Sequence, residues 1–298
     1  MDKLIQCVPN FSEGRDRQKI EKILDSFRNK DKVRLLDYGF DHFRNRLAVT
    51  AIGAPKELKK AVIDAIDISV KLIDLNHHKG GHARMGAIDV VPFVPIKNVT
   101  MEEAVALSKE VAKEVSEKHN LPVFLYEDSA TAEHRENIAK VRKGEFEGMG
   151  AKMKKPEWKP DYGPDKPHRT AGVVAIGARK PLIAFNVNLN TANMDIANTI
   201  ARKVRHIGGG LKHCKALGYE IKERSITQVS MNLTDYTQTA IYQAFEMVRM
   251  EARRYGVDII GSEIIGLVPM QALIDTTEYY LGLENFSVDQ VLETNIME

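Results

Sequence analysis

The chain has 298 residues, of which 43% are hydrophobic and 28% charged, and its formal net charge is +2. This is ordinary for a globular protein of about two domains, and so small a charge excess argues against a general nucleic-acid binder. No stretch reaches the ~18 apolar residues of a membrane span. The opening Met1-Asp2-Lys3-Leu4-Ile5-Gln6 has no signal-peptide apolar run. The two cysteines, Cys7 and Cys214, read as reduced thiols of a cytoplasmic protein.

The first half alternates strands and helices. Leu4 to Val8 reads as a short strand, and Ile20, Ile23, Leu24 and Phe27 recur at helical spacing. Val33 to Asp37 and Leu47 to Ile52 read as a strand pair, with Asp41 to Asn45 as their turn. Pro55 suits the first turn of a helix whose apolar face runs from Leu58 to Ile73. Ile88 to Ile96 is strongly β-type, although Pro92 and Pro95 predict an edge strand or a bulge. Thr100-Met101-Glu102-Glu103 has the pattern of a capping box and opens a helix continued by Ala104, Leu107, Val111 and Val115. Val123 to Tyr126 is a further strand. Residues 127–170 are polar and dense in Gly and Pro, which predicts a long loop of the kind that is functional or a linker.

The second half repeats the alternation. Strands are expected over 172–177, 182–189, 225–233 and 257–265, and helices over 192–204, 241–255 and 269–281. Strands that follow one another after the first helix of each half favour an antiparallel or mixed sheet with helices on one face, an α+β fold. Neither G-x-G-x-x-G after the first strand nor G-x-x-x-x-G-K-[ST] is present, so neither nucleotide-binding fingerprint is there. Strict alternation places Asn186, Asn188 and Asn190 on one sheet face, with Gln228, Ser230 and Asn232 likewise together. That face is either solvated or a polar wall for a ligand rich in heteroatoms, such as a pterin. The basic, Gly-rich run Arg202 to His213 reads as a helix C-terminus.

The chemistry-bearing stretch is His77-His78-Lys79-Gly80-Gly81-His82-Ala83-Arg84-Met85-Gly86-Ala87-Ile88-Asp89. Loops present side chains that regular elements cannot, and Gly80 and Gly81 let the backbone take positive φ and pass close to a ligand. His82 is the candidate general acid/base, because an imidazole exchanges protons near neutrality. Arg84 is placed to grip a carboxylate through paired hydrogen bonds. A metal reading with His77, His78 and His82 as ligands is the alternative; the two glycines break the helix that its i, i+4 spacing needs. A second polar cluster, Asp37, Asp41, His42, Arg44, Asn45 and Arg46, lies at the first hairpin turn. It is either a surface hairpin with salt bridges or the source of a carboxylate that orients a histidine.

Several ordered motifs together resemble the glutamate formimidoyltransferase (formiminotransferase) family. They are Val8-Pro9-Asn10-Phe11-Ser12-Glu13-Gly14, Asn45-Arg46, His82-Ala83-Arg84-Met85-Gly86-Ala87-Ile88-Asp89, Pro160-Asp161-Tyr162-Gly163-Pro164, Gly177-Ala178-Arg179-Lys180 and Gly266-Leu267-Val268-Pro269. The animal members carry a further cyclodeaminase domain, and at 298 residues the chain resembles the stand-alone bacterial form. The resemblance implies two ferredoxin-like α/β subdomains, expected at 1–178 and 179–298, with a substrate tunnel between them, and a cytoplasmic homodimer. It implies transfer of the formimino group of N-formimino-L-glutamate to N5 of tetrahydrofolate, a step of histidine breakdown. The family's catalytic histidine falls on His82. An acidic residue of the animal enzyme stands where this chain has Gly39, so that either Asp41 or Asp37 can supply the assisting carboxylate. The folate-binding segment falls on Gly163, Pro164, Asp165, Lys166, Pro167, His168, Arg169, Thr170, Ala171 and Gly172. Asn10, Arg46 and Arg84 complete the expected substrate contacts. No metal and no permanently bound cofactor are expected, since tetrahydrofolate is itself a co-substrate. Formyl transfer from N-formyl-L-glutamate and a non-catalytic folate-binding role are the alternatives.

Overall fold

The computed structural model describes residues 3–296. They fall into two compact units, which divide between Arg179 and Lys180.

The N-terminal unit opens with a ferredoxin-like β-α-β-β-α-β motif. Its first strand is broken into β1 (Leu4–Cys7) and β2 (Asn10–Phe11), followed by α1 (Arg17–Asp25), β3 (Val33–Asp41), β4 (Arg46–Gly53), α2 (Pro55–Leu72) and β5 (Ile88–Lys97). The β1/β2 pair lies between β4 and β5, and β3 pairs only with β4. Beyond β5 the sheet is extended by two parallel strands. Helix α3 (Met101–His119) leads into β6 (Val123–Glu127), and β7 (Val174–Ala178) inserts between β5 and β6. The mixed sheet expected from the sequence is therefore present, in a wider form.

Pro92 and Pro95 do not mark an edge, because β5 is central. Pro92 sits where β1 and β2 break, and its carbonyl accepts from Val8 N at 3.1 Å. Pro95 lies beyond Phe93, the last β5 residue that pairs with β7, and next to a register shift opposite β1. The missing N–H donors thus fall where the ladder is already interrupted.

The stretch 127–170 is not one long loop. It contains α4 (Glu133–Glu136), α5 (Ile138–Arg142) and α6 (Glu145–Lys152). These short helices have a reason to form. Strands buried on both faces need cover on both, and β6 presents Val123 and Leu125 to the main core but Phe124 and Tyr126 to the opposite side. Val141, Met149, Met153 and Trp158 close that second side.

The C-terminal unit is a second ferredoxin-like motif: β8 (Ile183–Leu189), α7 (Met194–Val204), β9 (Cys214–Ile221), β10 (Ile226–Leu233), α8 (Ile241–Arg253) and β11 (Ile259–Ile265), followed by α9 (Met270–Leu281) and α10 (Leu292–Ile296). Its antiparallel sheet has the order β11-β8-β10-β9. Strand β9 was not expected from the sequence. On the amide-rich face Asn186, Asn188 and Gln228 are buried, whereas Asn190 and Asn232 are exposed. Gln228 donates to Asn188 Oδ1 (2.8 Å) and Glu263 Oε1 (2.7 Å), and Asn186 donates to the same glutamate oxygen at 3.1 Å. The run after α7 does end that helix: Gly209 takes φ +86° just beyond it.

Cys7 and Cys214 are both buried free thiols, and burial pushes the Cys214 thiol up to about 12. No described helix is long and apolar enough to cross a membrane. The capping box of α3 is complete: Thr100 Oγ1 accepts from Glu103 N (3.2 Å), and Glu103 Oε2 accepts from Thr100 N (3.0 Å). Thr100→Ala should lower stability by about 0.5–2 kcal/mol, read as a shift in the urea midpoint at unchanged slope.

Candidate active site

The loop from Leu75 to Gly86 is anchored mainly by main-chain bonds. Leu75 N donates to Thr170 O (2.9 Å), Gly81 N to Phe43 O (3.1 Å), Ala87 N to Ala171 O (2.9 Å) and Val173 N to Met85 O (3.0 Å). The side chain of Asn45 pins the same loop from the first hairpin turn. Its Nδ2 donates to Lys79 O (3.1 Å), its Oδ1 accepts from Gly14 N (2.8 Å), and its carbonyl oxygen lies 2.9 Å from His78 Nε2. The structure thereby brings together three motifs far apart in sequence: Asn45-Arg46, the His82 loop and residues 168–172.

The glycines of the loop serve close packing. Gly80 and Gly81 do not use the positive φ open to them. A Cβ at Gly80 would sit 2.2 Å from Arg44 O, and one at Gly81 2.6 Å from the Phe43 ring. What they allow is contact between the loop and the hairpin turn. Gly86 is tighter still: its Cβ would lie 1.9 Å from Val173 O, and Gly86 bridges to Gly172.

At the end of the loop, Asp89 is fully buried. Its Oδ2 accepts from Arg46 Nη1 (2.9 Å) and is 2.7 Å from Arg142 Nη2, while its Oδ1 accepts from Met85 N at 3.1 Å. Burial by itself raises a carboxyl pKa, but the two guanidiniums outweigh it and hold Asp89 below the usual carboxylate range. Arg46 Nε also donates to Asn10 Oδ1 (3.0 Å), and Asn10 Nδ2 donates to Val8 O (2.9 Å). Two expected substrate residues, Asn10 and Arg46, are thus joined directly.

His82 is half-buried in this field. Burial first, then the positive charges of Arg46, Arg142 and Arg44, push its pKa down to about 3 against a smaller opposing effect of Asp89. The imidazole is therefore neutral at pH 7. Asp41, at the end of β3, accepts from Arg44 N at 2.7 Å, and Asp37 lies exposed farther along the strand, opposite Thr50. Arg84 is buried and heavily engaged. It reaches Glu145 (3.1 Å) and Glu147 (2.7 Å) through its terminal nitrogens, and its Nε donates to His78 Nδ1 at 3.3 Å. A substrate carboxylate entering there must displace a glutamate.

Within 163–172, Gly163 takes φ +87°. His168 and Gly172 exchange two backbone bonds (2.8 and 3.0 Å), and His168 Nδ1 accepts from Ala171 N at 3.0 Å. Asp165, Lys166 and Arg169 are exposed, while Pro164, Pro167 and Thr170 are half-buried.

The structure does not group the three histidines of the metal reading. His77 points out beside Asp74, His78 is tied to Asn45 and Arg84, and the described residues contain no group of three or more His, Cys, Asp or Glu side chains able to hold a metal ion. Asp89 and Arg142 were missed as site residues. Asp89 closes the His82 motif and its apolar flanks signal burial, but nothing in the sequence joins it to Arg142.

A neutral imidazole beside clustered arginines suits acid–base group transfer on an anionic substrate. Residues 4–179 match the model of the formiminotransferase domain, N-terminal subdomain, and residues 184–297 that of the formiminotransferase domain. The chain belongs to the formiminotransferase family. It is 48% identical to a glutamate formimidoyltransferase of Streptococcus pyogenes serotype M1, over all of both chains. It is 44% identical to the glutamate formimidoyltransferase of Thermoplasma acidophilum, over 97% of this chain and 96% of that one. A formimidoyltransferase-cyclodeaminase of Dictyostelium discoideum is 42% identical over 99% of this chain and 56% of its own length.

Asp89→Asn should leave two largely desolvated guanidiniums without their counter-charge. A loss of about 3–5 kcal/mol is expected, measured by chemical denaturation.

Proposed function

We propose that the protein transfers the formimino group of N-formimino-L-glutamate to N5 of tetrahydrofolate, giving 5-formiminotetrahydrofolate and L-glutamate. The observation that carries this reading is the full-length similarity to enzymes named for that activity. The placement of His82 supports it.

In this reading N5 attacks the formimino carbon, and a new N5–C bond forms as the C=N electrons move to the imino nitrogen. Neutral His82 takes the N5 proton. The tetrahedral adduct then collapses: the pair on the imino nitrogen re-forms the C=N bond, the bond from carbon to the glutamate nitrogen breaks with its electron pair going to that nitrogen, and the imidazolium returns a proton to it. Such general acid–base assistance is worth about 10²–10⁴ in rate, and holding two substrates in line contributes the larger share.

Asp41 is the assisting carboxylate of choice over Asp37. It pairs with Arg46 in the strand register and lies nearer the turn whose Asn45 pins the His82 loop. Asn10, Arg46, Arg84 and the segment from Gly163 to Gly172 contribute substrate contacts, the segment serving the folate. Tetrahydrofolate is a co-substrate, not a resident cofactor, and the working form is a cytoplasmic homodimer.

His82→Ala should lower kcat by about 10²–10⁴ with an unchanged circular-dichroism spectrum, in a spectrophotometric assay with tetrahydrofolate and N-formimino-L-glutamate. Near-normal turnover removes the assignment. The neutral imidazole is the active form, so kcat/KM falls only as pH drops toward the free-enzyme value of about 3. A pH–rate profile should therefore show no acid limb near the ordinary imidazole pKa of about 6.5.

A further inference from the structure

Arg142 occupies a place in the site that proton transfer by His82 does not use. It ends α5, and that short helix is held from outside. Lys152 Nζ donates to the carbonyls of Lys140 (2.6 Å), Val141 (2.6 Å) and Lys143 (3.1 Å), and lies 3.7 Å from the centre of the Trp158 ring. The Trp158 ring is in turn flanked edge-on by His134 and Phe124. Arg142 is therefore aimed at Asp89 by built structure and not by a mobile loop.

The charge stoichiometry there is unusual. Arg46 and Arg142 converge on one oxygen of one carboxylate, whereas Arg84 has two carboxylates to itself. Among the described residues, two guanidiniums thus share the one carboxylate with which they form ion pairs. Arg142 Nε is buried with no hydrogen-bond partner, yet both side chains keep 14% of their surface exposed, so an anion can reach them. Unpaired buried donors and two cations sharing one counter-charge are both costly in a low-dielectric site, and a planar carboxylate matches a guanidinium fork.

We propose that Arg46 and Arg142 form an anion subsite that takes a carboxylate of the amino-acid substrate beside His82. This rests on the formimino-transfer reading for the identity of that substrate. The bound carboxylate offsets the arginine field at the moment when His82 acquires a proton, so binding of the donor and basicity of the catalytic imidazole are coupled. Arg142 is thereby a specificity residue for acidic donors, and Arg84, paired with Glu145 and Glu147, also holds α6 against the loop.

The test is isothermal titration of L-glutamate, without folate, into the wild type, Arg142→Met and Arg142→Lys, each checked for fold by circular dichroism. Loss of one charge-assisted contact should weaken L-glutamate binding about 10- to 100-fold in R142M and less in R142K, with tetrahydrofolate affinity changed less than twofold. The KM for N-formimino-L-glutamate should rise in parallel. No glutamate binding to the wild type, or equal binding to wild type and folded R142M, overturns the subsite; if R142M does not fold, R142K binding as tightly as wild type in the absence of any dependence on ionic strength does the same. Arg142-dependent glutamate binding without formimino transfer supports the subsite and removes the functional reading. Transfer with an unchanged KM in R142M does the reverse.

Discussion

The buried carboxylate of Asp89 is the constraint around which the N-terminal unit is arranged. An ionised group with no solvent access is tolerated only when opposite charge and hydrogen bonds replace water. Arg46 comes from the start of β4, Arg142 from the end of α5, and Met85 supplies a backbone donor. Meeting the needs of one residue therefore requires the hairpin, the insertion of short helices and the histidine loop to converge. The same convergence buries His82, surrounds it with cations and so keeps its ring uncharged.

The loop holding that ring is positioned by a second, electrically neutral layer. Asn45, which adopts φ +50°, uses its amide and its carbonyl oxygen to tie together the N-terminal Gly14 region, Lys79 and His78. Burial, followed by the nearby Arg84 charge, depresses the pKa of His78 despite its contact with Asn45. A neutral His78 carries one ring N–H toward the Asn45 carbonyl and leaves Nδ1 to accept from Arg84. Two histidines four residues apart thus have different work: one is locked into the scaffold, and the other faces the arginine cluster.

Much of the fold was legible because its signals are local. The apolar stripe after Pro55, the Thr100 capping box and the alternation in β8 and β10 each depend on neighbours within one element. The failures share one cause, which is long-range context. Pro92 and Pro95 suggested an edge, yet they lie in a central strand whose ladder is broken where they fall. The Gly- and Pro-dense stretch 127–170 hid α4, α5 and α6, since each is shorter than the span over which periodicity can be counted, and their burial depends on the second face of β6. Strand β9 alternates, but its inward positions include small residues such as Cys214 and Ala216, while Leu217 points outward. In the site, His82 and its motif were visible as residue types. The union of Asp89 with Arg142, 53 residues apart by their numbers, belongs to tertiary structure alone.

The manner in which the histidine loop is tethered also divides its residues into two kinds. Gly80, Gly81 and Gly86 are pressed against neighbouring atoms, and His78 and Arg84 are buried in polar contacts. Between them His77, Lys79 and Ala83 are exposed, and the loop's course past them is set by main-chain bonds that any side chain permits. Across natural variants the segment should accordingly read as a comb, in which invariant teeth alternate with freely drifting gaps, although it is a single short loop.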